Sequence, residues 1–370
     1  MDFKASTCSE LADRRRSIAT KRCFVGFDGF VDVIVAPVAT RTGPAEAFTP
    51  IRTIEEFGRR VLAASGKSTN IELYPRLEKL GGNGPIMAAA FLAQGAAVTY
   101  VGALGRGAIH PVFAPLASRA RTFSLCEPAQ TTALEFSDGK LMLGRMRSLD
   151  EITPLGIRST LGAETYAKEL AEADLIALIN WTMVPAMSAI FEDLVTEVLP
   201  SIGARPGRRF FFDLCDPEKR SKADLLEALA WIGRFEAFGS VTLGLNLKEA
   251  QHVALALDLP PPQSDRHSLE RACGALRDRL GVGCVVVHPK ESAACATKDG
   301  TNWVPGPYTE TPHITTGAGD HFSAGFATAQ VLGLSPEACL GVGVATSGHY
   351  VRTAESPTLP QLETFLANWR

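Results

Sequence analysis

The segment Thr315–Phe326 holds the residues best suited to chemistry in this sequence. The small residues Gly317, Ala318 and Gly319 let backbone N–H groups approach a bound group closely, and a helix pattern begins at once. The free amides and the dipole of a helix start favour an anion there. Asp320 lies in the first turn, where it could cap the helix or could deprotonate a hydroxyl as a phosphoryl group arrives.

Two further segments combine small or polar residues with the start of a helix. Leu80–Pro85 reads Leu-Gly-Gly-Asn-Gly-Pro and precedes an Ala-rich run, which makes Gly82 and Asn83 accessible to a ligand. Asn246 and Glu249 form an Asn-x-x-Glu pattern directly after an apolar strand pattern. That four-residue pattern arises often by chance, so it indicates a functional site only through its position relative to the other two segments.

The three segments occur in the order of the ribokinase-like (PfkB) carbohydrate kinases, which this sequence resembles over about residues 26–360. Residues 315–322 are similar to the C-terminal signature of that family, Thr-x-Gly-Ala-Gly-Asp-x-Phe. The resemblance implies that Asp320 is the base acting on a sugar hydroxyl. It also implies that the amides of residues 317–319 stabilise the transferring phosphate.

The resemblance further implies ATP and Mg²⁺ as cofactors. Glu249, together with Asn246, would place the metal ion and its bound water near the nucleotide phosphates, because Mg²⁺ keeps several of its waters. Thr316 and Lys290 would lie on the nucleotide side of the site. Lys290 stands at the end of a strand where the family usually has Thr-x-Gly.

The segment Leu80–Pro85 resembles the N-terminal signature of the family, which we call the first signature. The resemblance implies that residues near the first strand and in this signature bind the acceptor. An Asp near that strand often binds substrate hydroxyls in the family, and Asp28 and Asp32 flank its expected place, with Asp32 preferred. Gly82 and Asn83 belong to the segment where the substrate lies against the backbone. Arg145, on a predicted hairpin, could reach an anionic substrate or could simply be solvated.

Besides Lys290, three positions depart from the family pattern. Ile314 replaces the Asp that usually precedes the signature and supports a monovalent-cation site, which argues against potassium activation. Ile86 stands where an Asn is common, and this change indicates rearranged sugar contacts. Asp216 replaces the Asn of a frequent D-x-N-x-R pattern, in which Asp213 and Arg220 keep phosphate-side roles.

The elements that must position these residues follow from short apolar runs, such as 175–179, that alternate with helix patterns. This alternation predicts a central mostly parallel sheet with helices on both faces, the three-layer ribokinase-like α/β fold that the resemblance implies. We expect one domain, 1–370, with a small β lid built from segments near 30–50 and 130–146. Relatives often pair through their lids, so a homodimer is possible.

The composition of the chain argues against nucleic-acid binding, membrane insertion and zinc or disulfide sites. A net charge of −3 over 370 residues gives no attraction for nucleic acids or for anionic membranes. The uncharged stretch 80–105 is broken by Gly and Pro, which predicts a buried helix and strand instead of a membrane span. None of the eight cysteines forms a C-x2-C pair, so we expect no zinc site or disulfide framework and a cytoplasmic location.

These patterns predict an ATP-dependent kinase that phosphorylates a hydroxyl of a sugar or of a sugar-like small molecule. A nucleoside kinase of the same fold is one alternative, and a catalytically weak sugar-binding regulator is another. The apolar Ile314 and Ile86 favour the regulator, whereas the presence of Asp320 and Glu249 favours the enzyme. The sequence does not choose between the possible acceptors.

Overall fold

Two β-sheets flanked by helices make up residues 2–369, the part of the chain that the structure, a computed structural model, describes. The strands, in chain order, are β1 (Arg22–Phe27), β2 (Phe30–Arg41), β3 (Phe48–Pro50), β4 (Leu73–Gly81), β5 (Ala97–Gly102), β6 (Arg121–Ser124), β7 (Ala129–Phe136), β8 (Gly139–Arg145), β9 (Leu175–Ile179), β10 (Arg209–Asp213), β11 (Ser240–Leu245), β12 (Cys284–Val287), β13 (Ser292–Thr297) and β14 (Gly300–Pro305). The α-helices are α1 (Phe3–Arg14), α2 (Ile54–Leu62), α3 (Asn83–Gln94), α4 (Ala114–Ala117), α5 (Pro154–Leu161), α6 (Ala163–Glu172), α7 (Met187–Asp193), α8 (Leu199–Ile202), α9 (Lys222–Arg234), α10 (Leu247–Ala256), α11 (Arg266–Leu280), α12 (Ala318–Leu332), α13 (Pro336–Thr353) and α14 (Leu359–Asn368).

The larger sheet has nine strands in the order β14-β13-β12-β11-β10-β9-β1-β5-β6. From β6 to β12 all neighbours are parallel, and β13 and β14 add an antiparallel hairpin at one edge. The sequence did not predict that hairpin, because β13 is a buried run of Ser, Ala, Cys and Thr without the alternation of a half-exposed strand.

Both faces of this sheet are covered by helices. One buried cluster, which includes Trp181 and Phe212, lies against α5 to α7 and α9 to α11. The other, which includes Tyr100 and Phe322, lies against α1, α3 and α12 to α14. The predicted three-layer α/β fold is therefore confirmed. None of the helices in the described part of the chain combines the length and the apolar character that crossing a bilayer requires.

The smaller sheet has five strands. Four of them follow the order β3-β2-β7-β8, and β4 pairs with the first half of β2 on the edge opposite β7. It contains the segments near 30–50 and 130–146 and also β4, which comes from a region that the sequence left unassigned. The strand β2 pairs in parallel with β7 and antiparallel with β4, so residues from three distant parts of the chain lie side by side.

The chain passes from one sheet to the other at Asp28 and Gly29. Residues 22–35, whose apolar pattern is that of one strand interrupted by Asp28, Gly29 and Asp32, form two strands in two different sheets. A Cβ on Gly29 would lie 2.0 Å from the carbonyl oxygen of Ala103, so the close approach that turns the chain requires glycine. This crossing places Asp28 just after β1, at the carboxyl edge of the larger sheet, and Asp32 within β2 of the smaller one.

Candidate active site

The candidate site lies at the carboxyl edge of the larger sheet, where ligands bind in open α/β sheets. Asp28 follows β1, Asn180 follows β9, Asp213 ends β10 and Asn246 follows β11. The N-terminus of α12 and the first half of β2 approach the same edge. Residues far apart in sequence therefore converge on one volume.

The turn before α12 presents free backbone donors. Gly317 has a φ of +91°, a conformation that L side chains rarely adopt, and it caps the 15-residue helix α12. Within residues 2–369, the N–H groups of Gly319 and Asp320 donate to no protein acceptor. We refer to residues 317–320 as the anion turn, because these amides and the helix dipole favour negative charge.

Two side chains, Tyr350 and His321, bind backbone carbonyls at the start of the anion turn. The Tyr350 hydroxyl donates to the Thr316 carbonyl at 3.0 Å, and the neutral His321 ring contacts the Gly317 carbonyl through Nδ1 at 2.7 Å. Burial lowers the pKa of His321 to about 4, so the ring nitrogen facing that carbonyl carries its single proton. Because C=O and N–H of a trans peptide point in opposite directions, the Gly317 N–H points away from Tyr350.

Asp320 is a buried carboxylate beside these amides, with 7% of its surface exposed. The Asn83 side-chain amide donates to Asp320 Oδ1 at 2.8 Å. Burial raises the pKa of Asp320 to about 8, the nearby charges of Asp28, Glu249 and Asp32 add to this, and the Asn83 hydrogen bond opposes it. A carboxylate with this proton affinity suits a general base near neutral pH.

Asp28 serves as an anchor for Asn83. Its carboxylate accepts hydrogen bonds from the Asn83 N–H at 3.0 Å, the Gly84 N–H at 2.9 Å and the Asn180 side chain at 2.7 Å. It is fully buried, and burial raises its pKa to about 6. Both oxygens of Asp28, one of the two carboxylates predicted on the acceptor side, are therefore engaged by the start of α3 and by Asn180, and its contact with the acceptor stays a prediction.

Asp32 occupies the face of the smaller sheet that is turned towards the site. It lies opposite Lys79 of β4 and Thr131 of β7, and it is 6% exposed. Burial raises the pKa of Asp32, against the opposing effects of the Thr131 hydrogen bond and the Lys79 charge. A Cβ on Gly81 would lie 2.4 Å from Asp32 Cγ, so Gly81 leaves the space that this carboxylate fills.

The surroundings of Gly82 and Ile86 explain why the polar residue of the first signature is Asn83, whereas Ile86 stands where an Asn is common. Gly82 has a φ of +92° and leads into α3, so Asn83 begins the helix directly above the Asp28 carboxylate. Ile86, one turn later, lies against Gly317, where a Cβ would come within 3.4 Å of its side chain. The apolar residue thus supports the anion turn, and Asn83 is the polar residue that faces Asp320.

Asn246, which is half-buried, and the buried Glu249 form a capping box at the start of α10. Glu249 is 5% exposed and also accepts a hydrogen bond from the Asp216 N–H at 3.0 Å. Cys215 and Asp216 both have positive φ values, 60° and 56°, which is uncommon for residues with a side chain. Glu249 therefore holds a strained loop beside Asp213, whose pKa burial and the Glu249 charge raise well above its usual range.

A cavity of about 500 Å³ runs from the anion turn towards the C-terminal helices. Its walls include Asn246, His288, Lys290, Thr315, Gly319 and Val351. Thr316 was predicted on the nucleotide side, but Thr315 lines the cavity, and the Thr316 hydroxyl accepts a hydrogen bond from Lys140 of the smaller sheet. The exposed Lys290 also lies at this cavity, and its contact with the nucleotide stays a prediction.

Comparison with known proteins gives a family match over almost the whole chain. Residues 4–369 match the prokaryotic ketohexokinase family. The chain belongs to that family. The kinase is 29% identical to a ketohexokinase from Haloferax volcanii, over 99% of this chain and 95% of that protein.

Solved structures show the same fold at lower identity. Ribokinase from Arabidopsis thaliana complexed with ribose and ATP has a TM-score of 0.64 and 17% identity, covering 94% of this chain and 98% of that one. Ribokinase from Thermotoga maritima has a TM-score of 0.61 and 18% identity, covering 94% and 99%. Adenosine kinase from Sinorhizobium meliloti has a TM-score of 0.63 and 18% identity, covering 93% and 97%. The resemblance to ribokinase-like carbohydrate kinases is confirmed, and the chain is a carbohydrate kinase.

Two cationic residues of the kinase, Arg220 and Arg145, are engaged by other protein groups. Arg220, predicted on the phosphate side, donates to the carbonyls of Trp181, Thr182 and Val184 and lies over the Trp181 ring, so its charge stabilises that turn. Arg145 bonds Gln130 on the face of the small sheet turned away from Asp32. Lys140 lies on the site-facing side of that strand. The period-2 alternation of the predicted hairpin could have revealed it.

We expect Glu249→Ala to raise KM for the magnesium–nucleotide complex about tenfold, because the loop at Cys215 and Asp216 loses its acceptor. The α14 capping box of Thr358 and Gln361 provides a matched control, since Gln361→Ala breaks the same motif at residues that do not line the cavity. Both variants should lose about 0.5–2 kcal/mol of stability on denaturant unfolding. Equal effects of the two variants on KM would contradict a role for Glu249 at the nucleotide.

Proposed function

We propose that the kinase transfers the γ-phosphoryl group of ATP to a hydroxyl of a ketohexose. The observation that carries this proposal is Asp320, a buried carboxylate of raised pKa that lies between the Asn83 amide and the free donors of the anion turn. The family match and the ketohexokinase relative support the choice of acceptor. In the reaction, the hydroxyl oxygen attacks the γ-phosphorus, its proton passes to Asp320, and the bond to the ADP oxygen breaks.

The nucleotide would occupy the 500 Å³ cavity, whose size lies within the usual range of ligand pockets. Ala318 and Gly319 of the anion turn line this cavity, so the phosphates would reach the free amides from this side. Pro307, Gly348 and Val351 form an apolar part of the wall that suits a flat base. Asn246 and Lys290 line the cavity as well and would contribute polar contacts.

Mg²⁺ would bind near Glu249 through water. Within residues 2–369 no group of three or more His, Cys, Asp or Glu side chains could hold a metal ion by itself. This fits Mg²⁺, which usually takes one or two carboxylates plus substrate phosphates and retains several waters. Its charge would offset the negative charge of the phosphates when bound. Glu249 keeps its own oxygens on the Asn246 and Asp216 amides and would orient the site around the ion.

The acceptor would lie between the two sheets, against Asp32, Gly82 and Asn83. Asp32 approaches from the smaller sheet and Asn83 from the larger one, so hydrogen bonds to both would bring the sheets together over the sugar. We propose that residues 1–370 act as one domain with the smaller sheet as its lid. Such closure excludes water, which would otherwise compete with the sugar for the phosphoryl group.

The far end of the lid supports a homodimer. Ile34, Leu77 and Met142 share the site-facing side of the smaller sheet, and Leu77 and Met142 are 53% and 48% exposed. We propose that this apolar end packs against a second copy. Light scattering of the wild type and of Leu77→Glu tests it, since a wild type that stays monomeric at assay concentration contradicts the dimer.

Eight free cysteines support a reducing, cytoplasmic location.

Formation of ADP and of phosphorylated product in the presence of a panel of sugars and nucleosides tests the proposed function. We expect ketohexoses to give the highest kcat/KM with ATP and Mg²⁺. A preference for a nucleoside would replace the acceptor, and sugar binding without any ADP formation would favour the regulator.

A further inference from the structure

Lys140 is a cationic side chain that the proposed reaction has not yet used. It lies at the start of β8, directly opposite Glu135 of β7, with its Nζ 3.2 Å from Glu135 Oε1. By the alternation of β7 and β8, Lys140 projects from the same face of the smaller sheet as Thr131, the neighbour of Asp32. A cross-strand lysine–glutamate pair on a surface sheet contributes little by itself.

A second contact distinguishes Lys140 from such a surface pair. Its Nζ donates to the Thr316 hydroxyl at 3.2 Å, across the gap between the smaller sheet and the N-terminus of α12. Thr316 immediately precedes Gly317, and its carbonyl is held by Tyr350. A positive charge from the lid therefore lies beside the anion turn, where the phosphoryl group would pass.

The other cationic side chains described around the site are engaged elsewhere. Arg220 is bound to three backbone carbonyls, and Lys79 lies opposite Asp32. Lys290 lines the nucleotide cavity from an exposed position. Phosphoryl transfer commonly relies on a cationic side chain that stabilises the charge of the transition state, and an arginine often has this role. Lys140 has the required charge and position.

We propose that Lys140 is a catalytic residue that donates to an equatorial oxygen of the γ-phosphoryl group during transfer. This inference rests on the proposed function. The proton of the sugar hydroxyl still passes to Asp320, and the lysine keeps its own protons, so it contributes charge and a hydrogen bond alone. Because the lysine belongs to the smaller sheet, the full charge of the site is assembled only when that sheet covers the acceptor.

The test compares Lys140→Gln and Lys140→Arg with the wild type, and uses Arg145→Gln as the matched control. Arg145 lies on the same strand but on its other face, so Arg145→Gln removes one charge without touching the anion turn. We expect Lys140→Gln to lower kcat about 10- to 100-fold, the range for a lost hydrogen bond to a charged group, with KM values near those of the wild type. Lys140→Arg should restore part of kcat.

A transition-state mimic separates this role from a merely structural one. ADP with aluminium fluoride and the sugar should bind Lys140→Gln about 10- to 100-fold more weakly than the wild type, whereas ADP alone should bind equally. Equal binding of the mimic, or a kcat equal to that of Arg145→Gln, overturns the proposal. The mimic can be titrated with whichever acceptor the wild type phosphorylates. A wrong acceptor would therefore overturn the proposed function without affecting the test of Lys140.

Discussion

Asp320→Asn is expected to lower kcat by about 10²–10⁴-fold, the usual effect of losing a general base. The asparagine keeps the size of the side chain and an oxygen that can accept from Asn83, so the anion turn and α3 should remain in place. Steady-state kinetics with ATP and the preferred sugar measure the loss. Asp299→Asn, in the exposed turn between β13 and β14, serves as the control. Near-normal turnover of Asp320→Asn would show that another group takes the proton.

The pH dependence follows from the same carboxyl group. Its pKa of about 8 means that the proton must leave before Asp320 can act as a base, so kcat/KM should rise with pH through about 8. Stability should change in the opposite direction. The folded state binds this proton more tightly than the unfolded chain, whose Asp pKa is about 3.9, so the free energy of unfolding falls as pH rises from about 4 to 8.

Asp320→Asn should remove that loss of stability. We expect its melting temperature to exceed that of the wild type by a margin that grows between about pH 5 and 8, because in this range Asp320 of the wild type must release a proton on unfolding, whereas the asparagine has none to release. Thermal unfolding across this pH range measures the margin. A margin independent of pH would mean that the pKa of Asp320 is not raised in the folded protein.

Gly81→Ala is expected to lower kcat/KM for the sugar by about 10²-fold, since misplacing a binding group by about 1 Å has effects of this size. The new Cβ would lie 2.4 Å from Asp32 Cγ, and Gly81 is paired with Phe30 of β2, so the carboxylate has to turn away. The nucleotide cavity does not include Gly81, so KM for ATP should change little.

Gly274→Ala is the matched control for this substitution. Gly274 lies inside α11, and a Cβ there would meet nothing within 4 Å. Alanine is the better helix former, so this variant should keep full activity and gain slight stability. If Gly81→Ala binds the sugar as well as Gly274→Ala does, Asp32 does not contact the acceptor.

The sequence alone identified the residues whose chemistry depends on local structure. The anion turn could be predicted because its glycine, its helix start and Asp320 are adjacent in the chain, and local geometry needs no distant partner. The same holds for the Asn246–Glu249 capping box and for the parallel sheet, since short buried runs alternate with helix patterns. These motifs, in this order, also indicated the carbohydrate kinase family.

Only the tertiary structure decided which polar residues meet. Asp28 and Asp32 are four positions apart, yet the passage at Gly29 places one beneath the start of α3 and the other in the smaller sheet, opposite Lys79. Asn83 contacts Asp320, 237 residues further along the chain, and Lys140 reaches Thr316 from another sheet. Such contacts depend on strand register and on the approach of two sheets. A single sequence does not encode these in its local pattern, because period and propensity describe one segment at a time.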